Sequence, residues 1–256
     1  MALQDELKTF AQAMCGVDTF GVADLTPARE FIKDQSKGLL PSLPRAVSIG
    51  ITLPAAVVDT LPQRNQRAVR VSYRTHAYDV VNRRLDRAAS EIGSFLQRRG
   101  HQVFPVAASE RVDDQRICAI FSHKLAANLS GLGWVGKSCL LITPTHGPRV
   151  RWATILTDAP LQAAGRREAE QCGDCTMCVD ICPVQAFSGR GFDPKEPRDL
   201  RFEADKCDAY FKAMESKGED KVCGMCLYVC PFGYVDKPRG IATLRGVAAR
   251  PALARE

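Results

Sequence analysis

The chain has 256 residues, enough to bury a sizeable core in one or two domains. Lys and Arg outnumber Asp and Glu by 35 to 29, and a net charge of +6 is too modest to select nucleic acid or membrane as a partner. Eleven cysteines would suggest disulfides in a secreted chain, but eight of them fall in or near tight runs, which argues for thiolate chemistry in a reducing compartment.

In chain order, residues 1–14 read as an amphipathic helix. They carry no secretory signal, twin-arginine motif or apolar run of membrane-spanning length, so a cytoplasmic location and no membrane partner are expected. Thr26-Pro27 starts a short helix. Arg45–Leu53 is apolar and β-branched, a buried strand. Val81, Leu85, Ala88, Ile92 and Phe95 recur at steps of three and four and stop at Gly100, which predicts a long amphipathic helix. Gln102–Ala107 reads as a strand that Pro105 places at an edge or an end. A second helix is expected over 117–129. Beyond a glycine-rich turn, Cys139–Thr143 and Val150–Leu156 read as strands joined by a hairpin turn at 144–148. Cys15, Cys118 and Cys139 read as small buried hydrophobes.

The turn itself, Gly131-Leu-Gly133-Trp134-Val-Gly136-Lys137-Ser138, satisfies both G-x-G-x-x-G and G-x4-G-K-S. Phosphate binding at either motif needs a strand before the loop and a helix after it. Here the order is reversed, so the expected role is a helix-ending turn whose small residues admit a flat ligand or a neighbouring element. Trp134 then stacks on a ligand or fills the core.

Two cysteine runs follow a small, polar linker at 162–171. The first is Cys172-x2-Cys175-x2-Cys178-x3-Cys182-Pro183, and the second is Cys223-x2-Cys226-x3-Cys230-Pro231, with Cys207 standing 16 positions earlier. This is the spacing of bacterial ferredoxins, in which three close cysteines hold one [4Fe–4S] cluster and the cysteine before proline reaches the other. One ligand set is therefore Cys172, Cys175, Cys178 and Cys230; the other is Cys182, Cys207, Cys223 and Cys226. Zinc is the alternative, since C-x2-C pairs also make thiolate cages, but the doubled four-cysteine run with its proline is not a zinc-ribbon spacing.

Ser130–Ile142 with its glycine turn, Thr157-Asp-Ala-Pro-Leu161, the two cysteine runs and Cys207-Asp-Ala-Tyr210 together resemble the epoxyqueuosine reductase group, proteins related to reductive dehalogenases. The resemblance covers most of residues 45–235. It implies an α+β fold: a cobalamin/nitroreductase-like mixed-sheet domain over 1–165, a two-cluster ferredoxin-like module over 166–240 and a basic tail over 241–256. It also implies a cobalamin reduced by the clusters, with the protein positioning the cofactor, excluding water and supplying a proton. The position of the family's proton-donating aspartate falls on Ile117, with Asp113 and Asp114 nearby, and the chain stops soon after the second run, where the family has a helical-repeat region that helps hold tRNA.

These departures point to a short, divergent member with its own substrate. His123, Asp113 and Asp114 are the proton-donor candidates; the other readings are a core or surface histidine and turn carboxylates. Gly131, Gly133, Trp134, Gly136, Lys137 and Arg149 are the cofactor-binding candidates, with solvated-face or core roles as alternatives. Tyr73, Arg74 and His76 precede the long helix where the family builds near its active site. A flavin could replace the corrinoid. The expected partner is an external donor such as ferredoxin or flavodoxin, with tRNA a further partner. The alternative function is an electron-transfer or corrinoid-handling accessory without substrate chemistry of its own.

Overall fold

Alternation along one strand sets the architecture. In β2 (Arg45–Thr52), Val47, Ile49 and Ile51 enter one hydrophobic core, while Ala46 faces a second core and Gly50 a third cluster around Val150 and Trp152. A strand apolar on both faces belongs inside a sheet. The computed structural model, which describes residues 2–164 and 166–233, places it there.

The chain runs α1 (Leu3–Thr9, extended by a π-helical turn Phe10–Met14), β1 (Thr19–Asp24), α2 (Arg29–Gln35), β2, α3 (Ala55–Val58), α4 (Arg67–Tyr73), a π-helical segment Arg74–Val80, and α5 (Val81–Gln97). Then follow β3 (Val103–Val106), α6 (His123–Leu129), β4 (Trp134–Val135), β5 (Leu141–Ile142), β6 (Val150–Thr157), α7 (Met177–Asp180), α8 (Ala204–Ser216) and α9 (Met225–Tyr228). The main sheet has the order β1-β2-β6-β3, and each of its pairings is antiparallel, with Thr19 opposite Gly50, Arg45 opposite Thr157 and Val103 opposite Thr157. Pro105 lies on the edge strand β3, where its missing N–H costs no ladder bond on the open side.

The predicted long helix is α5. Its buried stripe, Val81, Leu85, Ala88, Ala89, Ile92 and Leu96, packs with Val47, Ile49, Ile51, Ala153 and Ile155 of the sheet. Phe121, Ala126 and Leu129 pack on the opposite face with Ala46, Val106 and Leu156. Among the described residues no helix is long and apolar enough to cross a membrane. The expected tail over 241–256 lies outside the described residues.

Two expectations are corrected. The helix foreseen over 117–129 begins only at His123, because the preceding segment folds on itself: Asp113 and Cys118 form an antiparallel bridge, and Ile117 adopts φ +47°. The turn over 144–148 forms, closed by an antiparallel bridge between Thr143 and Gly147, but the strands on either side of it do not pair with each other. β5 pairs instead with β4, Trp134 opposite Ile142, while β6 takes an interior place in the main sheet. β6 is buried on both faces almost throughout, which suits the sheet interior better than a two-stranded ribbon.

Candidate metal centre

The cysteine runs fold as tight turns with single helical turns inside them. Cys175 N–H donates to the Cys172 carbonyl at 2.9 Å, and α7 then carries Cys178. In the second run Gly224, at φ +66°, reverses the chain between Cys223 and α9, which carries Cys226. A Cβ at Gly224 would stand 2.8 Å from Leu61 Cδ1, so glycine also lets this turn press against Leu61.

The thiols sort into two neighbourhoods. Cys178 has Cys172 and Cys175 as charge neighbours, and Cys230 has Cys172, Cys178 and Cys175. Cys207 has Cys223 and Cys182, while Cys226 has Cys223 and Cys207 ahead of Cys178 and Cys182. Each neighbourhood thus joins cysteines from both ends of the module, and Cys178 with Cys226 links the two.

Burial dominates the chemistry of these thiols. It pushes Cys230 up to about 12 and Cys178 and Cys207 up to about 11, and it raises Cys226 further. Buried thiols of this kind are protonated at neutral pH and become thiolates when a metal displaces the proton. Paired, partly buried soft donors suit iron–sulfur clusters by donor type and by number. Among the described residues no three His, Cys, Asp or Glu side chains converge on a single-ion site.

The glycine turn lies against this centre. A Cβ at Gly136 would sit 2.8 Å from the Ile142 side chain and 3.3 Å from Cys172 Sγ, one at Gly131 would sit 2.6 Å from the Arg166 carbonyl oxygen, and one at Gly133 would strike the Ile142 carbonyl. Lys137 Nζ donates to the Gly173 carbonyl at 2.6 Å. Trp134 is 2% exposed and meets Phe232 edge-on, ring centres 4.8 Å apart. Arg149 pairs with Asp59 at 2.8 Å beside a hollow of about 280 Å³ lined also by Thr52, Leu53, Pro54, Ala55, His146 and Gly233. The six residues expected to bind a cofactor are therefore engaged with the protein itself, five of them in one turn backing the first cysteine run. They do not fit an open corrinoid cradle.

The proton-donor candidates are also committed. Asp113 pairs with Lys37 at 2.8 Å and accepts backbone N–H bonds from Gln115 and Arg116; the Lys37 bond, then those amides, hold its carboxyl below the usual range. Asp114 is 93% exposed and stands 3.6 Å from Arg111. His123 Nε2 lies 2.9 Å from the Ala107 carbonyl and Nδ1 lies 2.9 Å from Thr154 Oγ1. A carbonyl only accepts, so Nε2 carries the proton and Nδ1 takes the threonine hydroxyl's. Burial lowers the pKa of this ring.

Sequence reasoning pointed at Tyr73, Arg74 and His76 only through resemblance. Tyr73 is buried, packs edge-on to Tyr78 at 5.7 Å and is a charge neighbour of Cys226 and Cys223, and Arg74 pairs with Asp220 of the cysteine module at 2.8 Å. Tyr78, under the Arg151 guanidinium at 4.5 Å, and Arg64, beside Cys223, were missed. Neither sits in a motif, and only the folded approach of residues 61–78 to the second run reveals them.

Residues 171–233 match a family model described as a 4Fe-4S double cluster binding domain. The epoxyqueuosine reductase of Pseudomonas aeruginosa is 27% identical over 175 residues, 64% of this chain and 43% of that protein. Two solved structures share the fold. One is an epoxyqueuosine reductase with an epoxyqueuosine-modified tRNA-Tyr stem loop, with a TM-score of 0.57 and 19% identity over 90% of this chain and 65% of the other. The other is a reductive dehalogenase described in terms of B12-dependent dehalogenation, with a TM-score of 0.62 and 18% identity over 90% and 31%. The chain spans less than half the length of the Pseudomonas relative.

Proposed function

Starting from a chain that is epoxyqueuosine reductase-like in sequence and fold, we propose that it is an iron–sulfur reductase. Cys172, Cys175, Cys178 and Cys230 hold one [4Fe–4S] cluster, and Cys182, Cys207, Cys223 and Cys226 hold the other. The observation that carries this reading is the sorting of the thiols, three from one stretch joined by one from the other in each neighbourhood. Bound there, the clusters supply one-electron transfer. The protein's own share is to bury the thiols, hold the two sets side by side through Cys178 and Cys226, and close them against the glycine turn and the residue 61–78 segment.

Anaerobically reconstituted protein is expected to bind about eight irons, as two four-iron clusters require. Cys207→Ser should leave one set intact and lower iron toward half. Colourless protein that retains zinc after anaerobic purification would refute the reading.

A cobalamin as electron acceptor is the finer form of the proposal. It is supported by the resemblance and by the B12 chemistry of a fold relative, and not by the glycine turn, whose residues are spent on packing. Titration with cob(II)alamin is expected to change its spectrum; an unchanged spectrum across the titration removes the corrinoid from the proposal. An external ferredoxin- or flavodoxin-type donor would feed the clusters, and tRNA is the substrate class to test first, by filter binding at two salt concentrations.

A second reading has its own support. Asp113 is held in a turn by Lys37 and both His123 ring nitrogens are occupied, so neither is poised as an acid. An electron-transfer or corrinoid-handling accessory needs no acid. It predicts reduction of a partner or of free corrinoid without turnover of epoxyqueuosine-modified tRNA.

A further inference from the structure

Each cysteine run packs against a segment that carries a buried side-chain N–H without a hydrogen-bond partner among the described residues, and the two donors differ in charge. The Trp134 indole Nε1 is buried without a hydrogen-bond partner among the described residues, and the turn that carries it packs on the first cysteine run beside Cys172. The approach is fixed by backbone: Gly136, two residues on, comes so near Cys172 Sγ that a Cβ there would lie 3.3 Å from it, and Phe232 holds the indole edge-on at 4.8 Å. On the other set, Arg64 ends the 3-10 turn Leu61–Gln63, whose Leu61 is wholly buried against the Gly224 turn. Its Nε is likewise buried without a partner among the described residues, in the segment that packs on the turn directly after Cys223.

We infer that Trp134 and Arg64 are positioning residues that set the reduction potentials of the two clusters separately, the neutral indole acting on the Cys172 set and the guanidinium on the Cys223 set. Reduction adds one electron, and hence one negative charge, to a cluster whose charge is shared with its thiolate sulfurs. An N–H aimed at such a sulfur favours the reduced form and raises the potential; a cation that also donates does so more strongly. The glycine turn that looks like a nucleotide loop would then be the brace that brings an indole N–H to a cysteine ligand. The inference rests on the ligand assignment proposed above.

The test is an EPR-monitored redox titration of the reconstituted full-length protein and its variants, with iron counted in each sample. Trp134→Phe, which keeps an aromatic ring against Phe232, should lower the reduction equilibrium constant of one cluster by roughly three- to tenfold, tenfold being 59 mV for one electron. Arg64→Met should lower that of the other cluster by about tenfold or more, again 59 mV per decade. Arg64→Lys, which keeps the charge and loses the fork, should fall between wild type and Arg64→Met. Replacing Trp134 with benzothienylalanine, a ring of the same shape without the N–H, should reproduce the Trp134→Phe shift and guards against a packing artefact.

Unmoved midpoints in samples that carry both clusters would overturn the inference, as would a single variant that shifts both clusters equally. Wild-type protein unable to hold two clusters would instead overturn the ligand assignment, so the two failures are distinguishable.

Discussion

His123 shows how a residue suited to proton transfer is used for structure. Its ring bridges the Ala107 carbonyl and the Thr154 hydroxyl, and burial keeps it neutral. The folded pKa lies below the unfolded one, so above the unfolded value of about 6.5 neither state carries the proton. As pH falls through that value toward the lowered folded one, only the unfolded chain gains a proton, and stability declines by at most about 1.4 kcal/mol per pH unit. His123→Asn should remove that slope, so wild type and variant melting temperatures should converge between pH 7 and 5. Parallel curves would mean that His123 does not titrate as its surroundings require. At Gly133 the constraint is space: any Cβ strikes the Ile142 carbonyl, so Gly133→Ala should cost about 2–4 kcal/mol in denaturant unfolding. Gly191→Ala, with open space around it, should stay within about 0.5 kcal/mol of wild type in the same assay.

At the scale of elements, the long periodic segments were legible and the short irregular ones were not. α5 could be read from its stripe of Val81, Leu85, Ala88, Ile92 and Phe95, and β2 and the edge strand β3 from composition and Pro105. β1 was missed because Thr19–Asp24 is short and interrupted by Gly21, whose reason is tertiary: a Cβ there would lie 2.8 Å from Ser130 Cβ. The glycine turn's counterpart, the first cysteine run, could not be read from a motif that resembles phosphate loops. The helix over 117–129 was overextended for a related reason. Arg198, far along the chain, donates to the Arg116 carbonyl at 2.8 Å and the Ile117 carbonyl at 3.1 Å, and pins Ile117 in a left-handed conformation that a β-branched residue resists. Arg198→Ala should release this loop. Hydrogen exchange at the Cys118 amide, bonded to the Asp113 carbonyl at 3.1 Å, should speed up by at least about tenfold, as loss of charge-assisted bonds worth about 1.5–3 kcal/mol implies. Exchange at α5 should not change.

For the whole molecule, the decisive feature is that the second cysteine run shares a core with the main sheet and α5. Val222, Met225 and Leu227 belong to the same hydrophobic cluster as Leu61, Tyr73, α5 and the sheet, so the thiols of this run are held by packing against residues far from them in sequence. Leu61 and Ile92 are both fully buried in that cluster, but only Leu61 lies against Gly224, between Cys223 and Cys226. Leu61→Ala and Ile92→Ala should therefore destabilise the fold by a similar amount, about 2–5 kcal/mol. Their effects on metal should diverge. A cavity under the Gly224 turn loosens Cys223 and Cys226, so Leu61→Ala should lose iron toward half during anaerobic dialysis against a chelator, while Ile92→Ala should keep its full complement at temperatures where it remains folded. Equal iron loss from both variants would mean that metal retention follows global stability alone, and that the shared core holds the fold without specifically holding the clusters.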